Sequence, residues 1–179
     1  MSRIRQSPEG RTFKVDAGTI LAADLPINGT ILAVGLLRGL ISFPVAKYLA
    51  DHARLSSTEE DFLVETLRDN EEEDALEICS RQIDAERIDY STDPAGRFWV
   101  WLVSSTIWSQ RHGFSNPLEL MEEVYSFFGY PVSLSALIRY MPPPPGEASG
   151  VAALVARWGR YVADERMCLE RVLSQGSCP

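Results

Sequence analysis

RFWVWLVSSTIWSQRHGFSNPLELMEEVYSFFGYP, residues 97 to 131, reads as two helices in succession. From Phe98 to Val103 the chain is apolar on every side, so the first helix lies at the buried centre of a domain rather than on its surface. Asp93-Pro94 opens it with a capping carboxylate and a proline in the first turn, where a missing N–H costs nothing. Asn116-Pro117-Leu118-Glu119 repeats the device: cap, proline at N1, glutamate at N3. The second helix turns Leu118, Met121, Tyr125 and Phe128 one way and Glu119, Glu122, Glu123 and Ser126 the other. Gly129 stops it, and Tyr130, standing before Pro131, is pushed out of the helical region.

Further along, Pro131 and Ser133 start a short helix with Leu134, Leu137 and Ile138 inward. Met141 precedes Pro142 and is extended, and the prolines through Pro145 form a stiff polyproline spacer. After a hinge from Gly146 to Gly150, a long last helix turns Val151, Leu154, Val155, Trp158, Val162 and Leu169 inward. Upstream, Thr30 caps ILAVGLLR, Gly39 supplies the left-handed stop, and Ser42 with Pro44 opens the next helix. SSTEEDFLVETLRD opens a third helix, with capping-box spacing at Ser56/Glu59 and Ser57/Glu60 and a stripe of Phe62, Leu63 and Leu67. EEEDALEICSRQI gives a fourth, with Leu76, Cys79 and Ile83 inward. Residues 12 to 29 stay open between a minor strand or hairpin, from the alternation Phe13, Val15, Ala17, and the turn signals of DLPINGT. The expected fold is all-α: about eight helices in antiparallel hairpins, a flexible arm over 1–12 and one helical domain over 13–179.

Composition narrows the chemistry. The chain has 179 residues, 45% hydrophobic and 23% charged, enough for one well-buried domain. Cys79, Cys168 and Cys178 are an odd number without C-x-x-C spacing, which disfavours a disulfide framework and a zinc site and suits a reducing cytoplasm. The longest apolar run, ILAVGLLRGLI, carries Arg38 and falls short of the roughly 20 residues a membrane span needs. Net charge is −8, but its distribution is lopsided. Between Glu59 and Asp93 stand fourteen acids against Arg68, Arg81 and Arg87, which is −11, while the remainder carries +3. Such a segment repels a phosphate backbone, so nucleic acid is not the expected partner; a basic protein is.

The candidate contact residues are therefore Asp69, Glu71, Glu72, Glu73, Asp74 and Glu77, although acids at a helix start are also favoured simply by its dipole. Tyr125, Arg139 and Tyr140 form a second candidate, either as partner contacts or as a packed hydrogen-bonding cluster. Trp99, Trp101 and Trp108 share one helix and belong to the core, with one of them able to reach the surface as an anchor. His52 and His112 have no Ser or Cys at a spacing that suggests a nucleophile and its base. Glu122 and Glu123 lie about 100° apart on their helix and cannot share a substrate. Gly35 to Gly39 lacks the preceding strand and the lysine of a phosphate loop. No catalytic set, cofactor motif or metal cluster is expected.

ILAVGLLRGLISFPVAKYLADHA, the 97–131 stretch, IRYMPPPPG and the closing helix around Trp158 together resemble an uncharacterised bacterial family, domain of unknown function 2247, over roughly residues 27–173. Its members are similar to small soluble proteins encoded beside polymorphic toxins. The resemblance thus implies an immunity protein that neutralises a cognate toxin by occluding it. Two other readings stand beside it: a helical scaffold or adaptor for an endogenous partner, and an enzyme whose site assembles from dispersed polar residues.

Overall fold

The computed structural model describes residues 5–6, 13–55 and 61–174. Among them are nine α-helices: α1 (Ala17–Ala23), α2 (Gly29–Leu37), α3 (Phe43–His52), α4 (Phe62–Asp69), α5 (Glu72–Gln82), α6 (Pro94–Gln110), α7 (Pro117–Phe127), α8 (Val132–Ser135) and α9 (Val151–Ser174). The fold is all-α, as expected. Among the described residues a small strand pair is present: β1 (Arg5–Gln6) runs antiparallel to β2 (Phe13–Lys14), with Arg5 opposite Lys14. Most of the arm over 1–12, and the capping boxes at Ser56/Glu59 and Ser57/Glu60, lie outside the described residues.

α6 is the hub. It packs against α9, α7, α2 and α1, and Phe98, Trp99, Leu102 and Ile107 are buried on it. Burying an indole requires a partner for its N–H. Trp99 Nε1 donates to the Ile31 carbonyl at 2.8 Å, and Trp101 Nε1 donates to that of Val162 at 2.9 Å, so each ring fastens a neighbouring helix. Trp108 is half-buried, edge-on to Trp158 and covered by the Arg111 guanidinium, 3.9 Å from its ring centre. None of the three is an exposed anchor.

Capping follows the local chemistry closely, with corrections. Asp93 caps α6 through Ala95 and Gly96 N–H, and Asn116 caps α7 while donating to Glu119. The cap of α2 is Asn28 rather than Thr30: its Oδ1 accepts from Ile31 N–H at 2.9 Å. Ser42 stands at the start of α3 without a side-chain capping bond. Residue Ala17, read as part of an alternation, instead begins α1, where the Asp16 carboxylate accepts from Thr19. Gly39 and Gly129 take the left-handed conformation, at φ 67° and 71°.

Asp61 serves two helices at once. One carboxylate oxygen accepts from Leu63 and Val64 N–H to cap α4, and the other accepts from Gly29 N–H, at 2.6 Å, in the first turn of α2. Asp61→Ala leaves donors orphaned at both helix starts, so a loss of about 2 kcal/mol is expected. Thermal unfolding should show it as a midpoint lower by roughly 4–8 °C. An unchanged midpoint would remove the double-cap reading.

Two apolar assignments also change. Phe62 is 56% exposed, and Val64 with Leu67 buries α4 instead. Val151 is exposed at the start of α9. On the same helix Arg157 is buried, because its guanidinium donates to the carbonyls of Ala136 at 2.8 Å and Ala148 at 2.7 Å. That one side chain clamps both ends of the proline loop onto α9.

Candidate partner-binding surface

α5 begins where four carboxylates follow one another. Glu71 holds the capping position without a side-chain capping bond, and Glu72, Glu73 and Asp74 fill the first turn. All four are exposed, as are Asp69 and Glu77. Beneath them Ala75 and Cys79 anchor the helix in the core, and burial pushes the Cys79 thiol pKa up. Leu76 and Ile83 are only partly buried. The acids therefore stand on a fixed support. Glu77 differs from its neighbours, since it pairs with Arg81 one turn on.

Many other acids of the −11 segment are occupied elsewhere. Asp61 and Asp93 cap helices. Asp84 pairs with Arg87 at 3.2 Å. Asp89 accepts from Thr92 Oγ1 at 2.7 Å and Ser91 N–H at 2.8 Å, and these bonds, the Thr92 hydroxyl foremost, hold its carboxyl below the usual range. The segment's charge thus divides between acids that stabilise the fold and outward ones, of which the start of α5 holds the densest group.

The aromatic candidate is brought together only in part. Tyr125 is buried and packs edge-on against Tyr130, with ring centres 5.2 Å apart. It is a support, not a contact surface. Arg139 makes a two-pronged ion pair with Glu122, at 2.7 and 3.0 Å, and hydrogen bonding from the guanidinium keeps the Glu122 carboxyl below its usual range. Tyr140 is exposed beside them, its hydroxyl pKa raised by desolvation first and by Tyr125 and Glu122 after it.

Next to this corner the end of α2, the loop 86–91 and the α7–α8 turn line a groove of about 490 Å³. The Arg38 guanidinium sits against the Tyr90 and Phe127 rings, 5.7 and 5.8 Å from their centres, and donates to the Phe127 carbonyl at 3.4 Å. Glu86, Asp89, Tyr130 and Val132 also line the groove. None of these residues stands out in the sequence, because three distant segments meet there. The one local signal was Gly129-Tyr130-Pro131, which puts an aromatic at a forced break in the helix.

His52 is exposed and stacked on Tyr48, with ring centres 4.2 Å apart, and His112 is exposed after α6. Among the described residues no group of three His, Cys, Asp or Glu is placed to hold a metal ion. None of their helices is long and apolar enough to cross a membrane.

An all-helical body carrying an acidic helix start and an aromatic corner is the architecture to be classified. Residues 19–166 match the model of a family described as an uncharacterised protein conserved in bacteria, DUF2247, and the chain belongs to that family. No curated protein and no solved structure matches it.

Proposed function

We propose that the chain is an immunity-type binding protein of the bacterial cytoplasm, without enzymatic activity, which neutralises a cognate toxin by occluding it. The observation that carries this reading is the run of exposed carboxylates from Glu71 to Asp74 on a helix anchored in the core. Charge of one sign on a rigid support raises the encounter rate with a basic surface and is screened by salt. A separate corner rich in Tyr and Arg offers the side chains that most often dominate contact energies. The toxin association comes from the family resemblance.

Co-purification with the protein encoded by the adjacent gene tests the reading. A complex is expected at low salt and a weaker one at high salt. No complex under either condition overturns it.

A further inference from the structure

We propose that the groove between the 86–91 loop and the α7–α8 turn is a docking cleft for a protein loop presenting a cationic side chain beside a carboxylate. The protein nature of the occupant rests on the binding reading above; the charge pattern follows from the groove itself.

Arg38 is half-buried at the end of α2. Arg97, Arg139 and Arg157 each have a carboxylate within 4 Å; Arg38 has none among the described residues. Of its five N–H donors, one makes a single long bond, and aromatic faces cover the plane without using the rest. Glu86 is exposed and its carboxylate makes no ion pair among the described residues, and Asp89 is held ionised by Thr92 and Ser91. Cation and anions therefore line one hollow without neutralising one another. A lone anion meets Glu86 and Asp89, and a lone cation meets Arg38. A neighbouring pair of opposite charges satisfies both.

The rim identifies a protein as the occupant rather than a free zwitterion. Tyr130 is 61% exposed and Val132 76% exposed, so the charged lining is bordered by exposed apolar surface. Tyr130 takes φ 65°, uncommon for a bulky residue. Its N–H donates to the Tyr125 carbonyl at 2.8 Å, and the Tyr125 ring supports its own. Val132 N–H donates to Ser91 Oγ at 2.9 Å, which ties the turn to the 86–91 loop. The cleft is preformed, so little ordering opposes docking.

Amide NMR titration of the full-length chain with acetyl-Arg-Glu-amide, acetyl-Arg-Ala-amide and acetyl-Ala-Glu-amide tests this. The mixed peptide is expected to shift Ser91, Gly129 and Val132 and to bind about tenfold tighter than either single-charge peptide. Glu86→Gln, an exposed change that leaves the fold intact, should reduce that preference, and Tyr130→Ala should weaken all three peptides. Equal binding by the three, shifts centred on α5, or no shifts would overturn the cleft. A complex with the adjacent-gene protein that ignores both substitutions would also overturn it while sparing the binding role. Mixed-charge docking at the groove with no such complex supports the cleft and counts against the toxin assignment alone.

Discussion

Gly35→Ala is expected to be the most damaging single methyl added to this protein. A Cβ at Gly35 would stand 2.1 Å from Cζ2 of Trp99 and 2.7 Å from its Cε2. Neither side can give way easily. The Trp99 ring is fully buried, packs edge-on against Phe98, and is tied through Nε1 to the Ile31 carbonyl on the same helix as Gly35. α2 must move off α6, the hub of the fold. Overpacking of this kind costs about 1–3 kcal/mol, and straining the buried indole hydrogen bond adds about 1–3 kcal/mol. Alanine's better helix propensity returns only about 1 kcal/mol. A net loss of roughly 3 kcal/mol is a large share of the 5–15 kcal/mol that stabilises a typical domain. Calorimetry should find the melting midpoint lowered by roughly 10 °C. Trp99→Phe removes the atoms that clash, so the double variant should lose less than the two single losses added together. Gly113→Ala is the control: nothing lies within 4 Å of the new methyl, and its midpoint should hold. Wild-type stability for Gly35→Ala would mean that α2 and α6 do not meet as described.

That contact was half visible in the sequence. The all-apolar run and the Asp93-Pro94 start identify α6 as the centre, and Gly39 marks where α2 stops, but which glycine faces which tryptophan depends on how two distant helices cross. α1 was hidden for a different reason. It has only seven residues, and the alternation of Phe13, Val15 and Ala17 reads as a strand until the Asp16 cap is seen to claim Thr19. Local patterns predict Phe62 inward, and the packing of α4 leaves it exposed, while the burial of Arg157 has no local signal at all. Arg157 goes in because the carbonyls of Ala136 and Ala148 await it across the proline loop. The acidic segment shows the same limit. Its total charge is readable, and Asp93 before Pro94 reads as a cap, but sequence does not separate Asp61, which caps α4 and reaches α2, from Glu72 and Glu73, which face solvent. Nor can it assemble Arg38, Glu86 and Tyr130 into one groove, since they come from three distant segments.

Replacing Glu71, Glu72 and Glu73 together by Lys should separate the two roles that acids at the start of α5 can have. Each reversal changes the charge by two, so the segment falls from −11 to −5. If the carboxylates serve only the helix dipole, the result is thermodynamic: each lysine at the positive end of α5 costs about 0.3–1 kcal/mol and nothing else changes. If they steer a basic toxin, the result is kinetic. Steering by a charged face is worth about 10–1,000-fold in association rate, so the triple variant should bind the adjacent-gene protein at least about tenfold more slowly at low salt. Its dissociation rate should hardly move, because rim charges act on encounter more than on residence. Raising the salt should bring variant and wild-type rates together as the Debye length falls from about 10 Å at 0.1 M to about 3 Å at 1 M. Replacing the same three residues by Gln gives an intermediate rate with a smaller stability loss, which guards against a partly unfolded triple variant. Surface plasmon resonance across a salt series, read beside the melting curves, measures both quantities on the same proteins. Equal association rates for wild-type and triple variant at low salt, with only the melting point lowered, would assign these acids to the helix and leave the toxin without an electrostatic handle here.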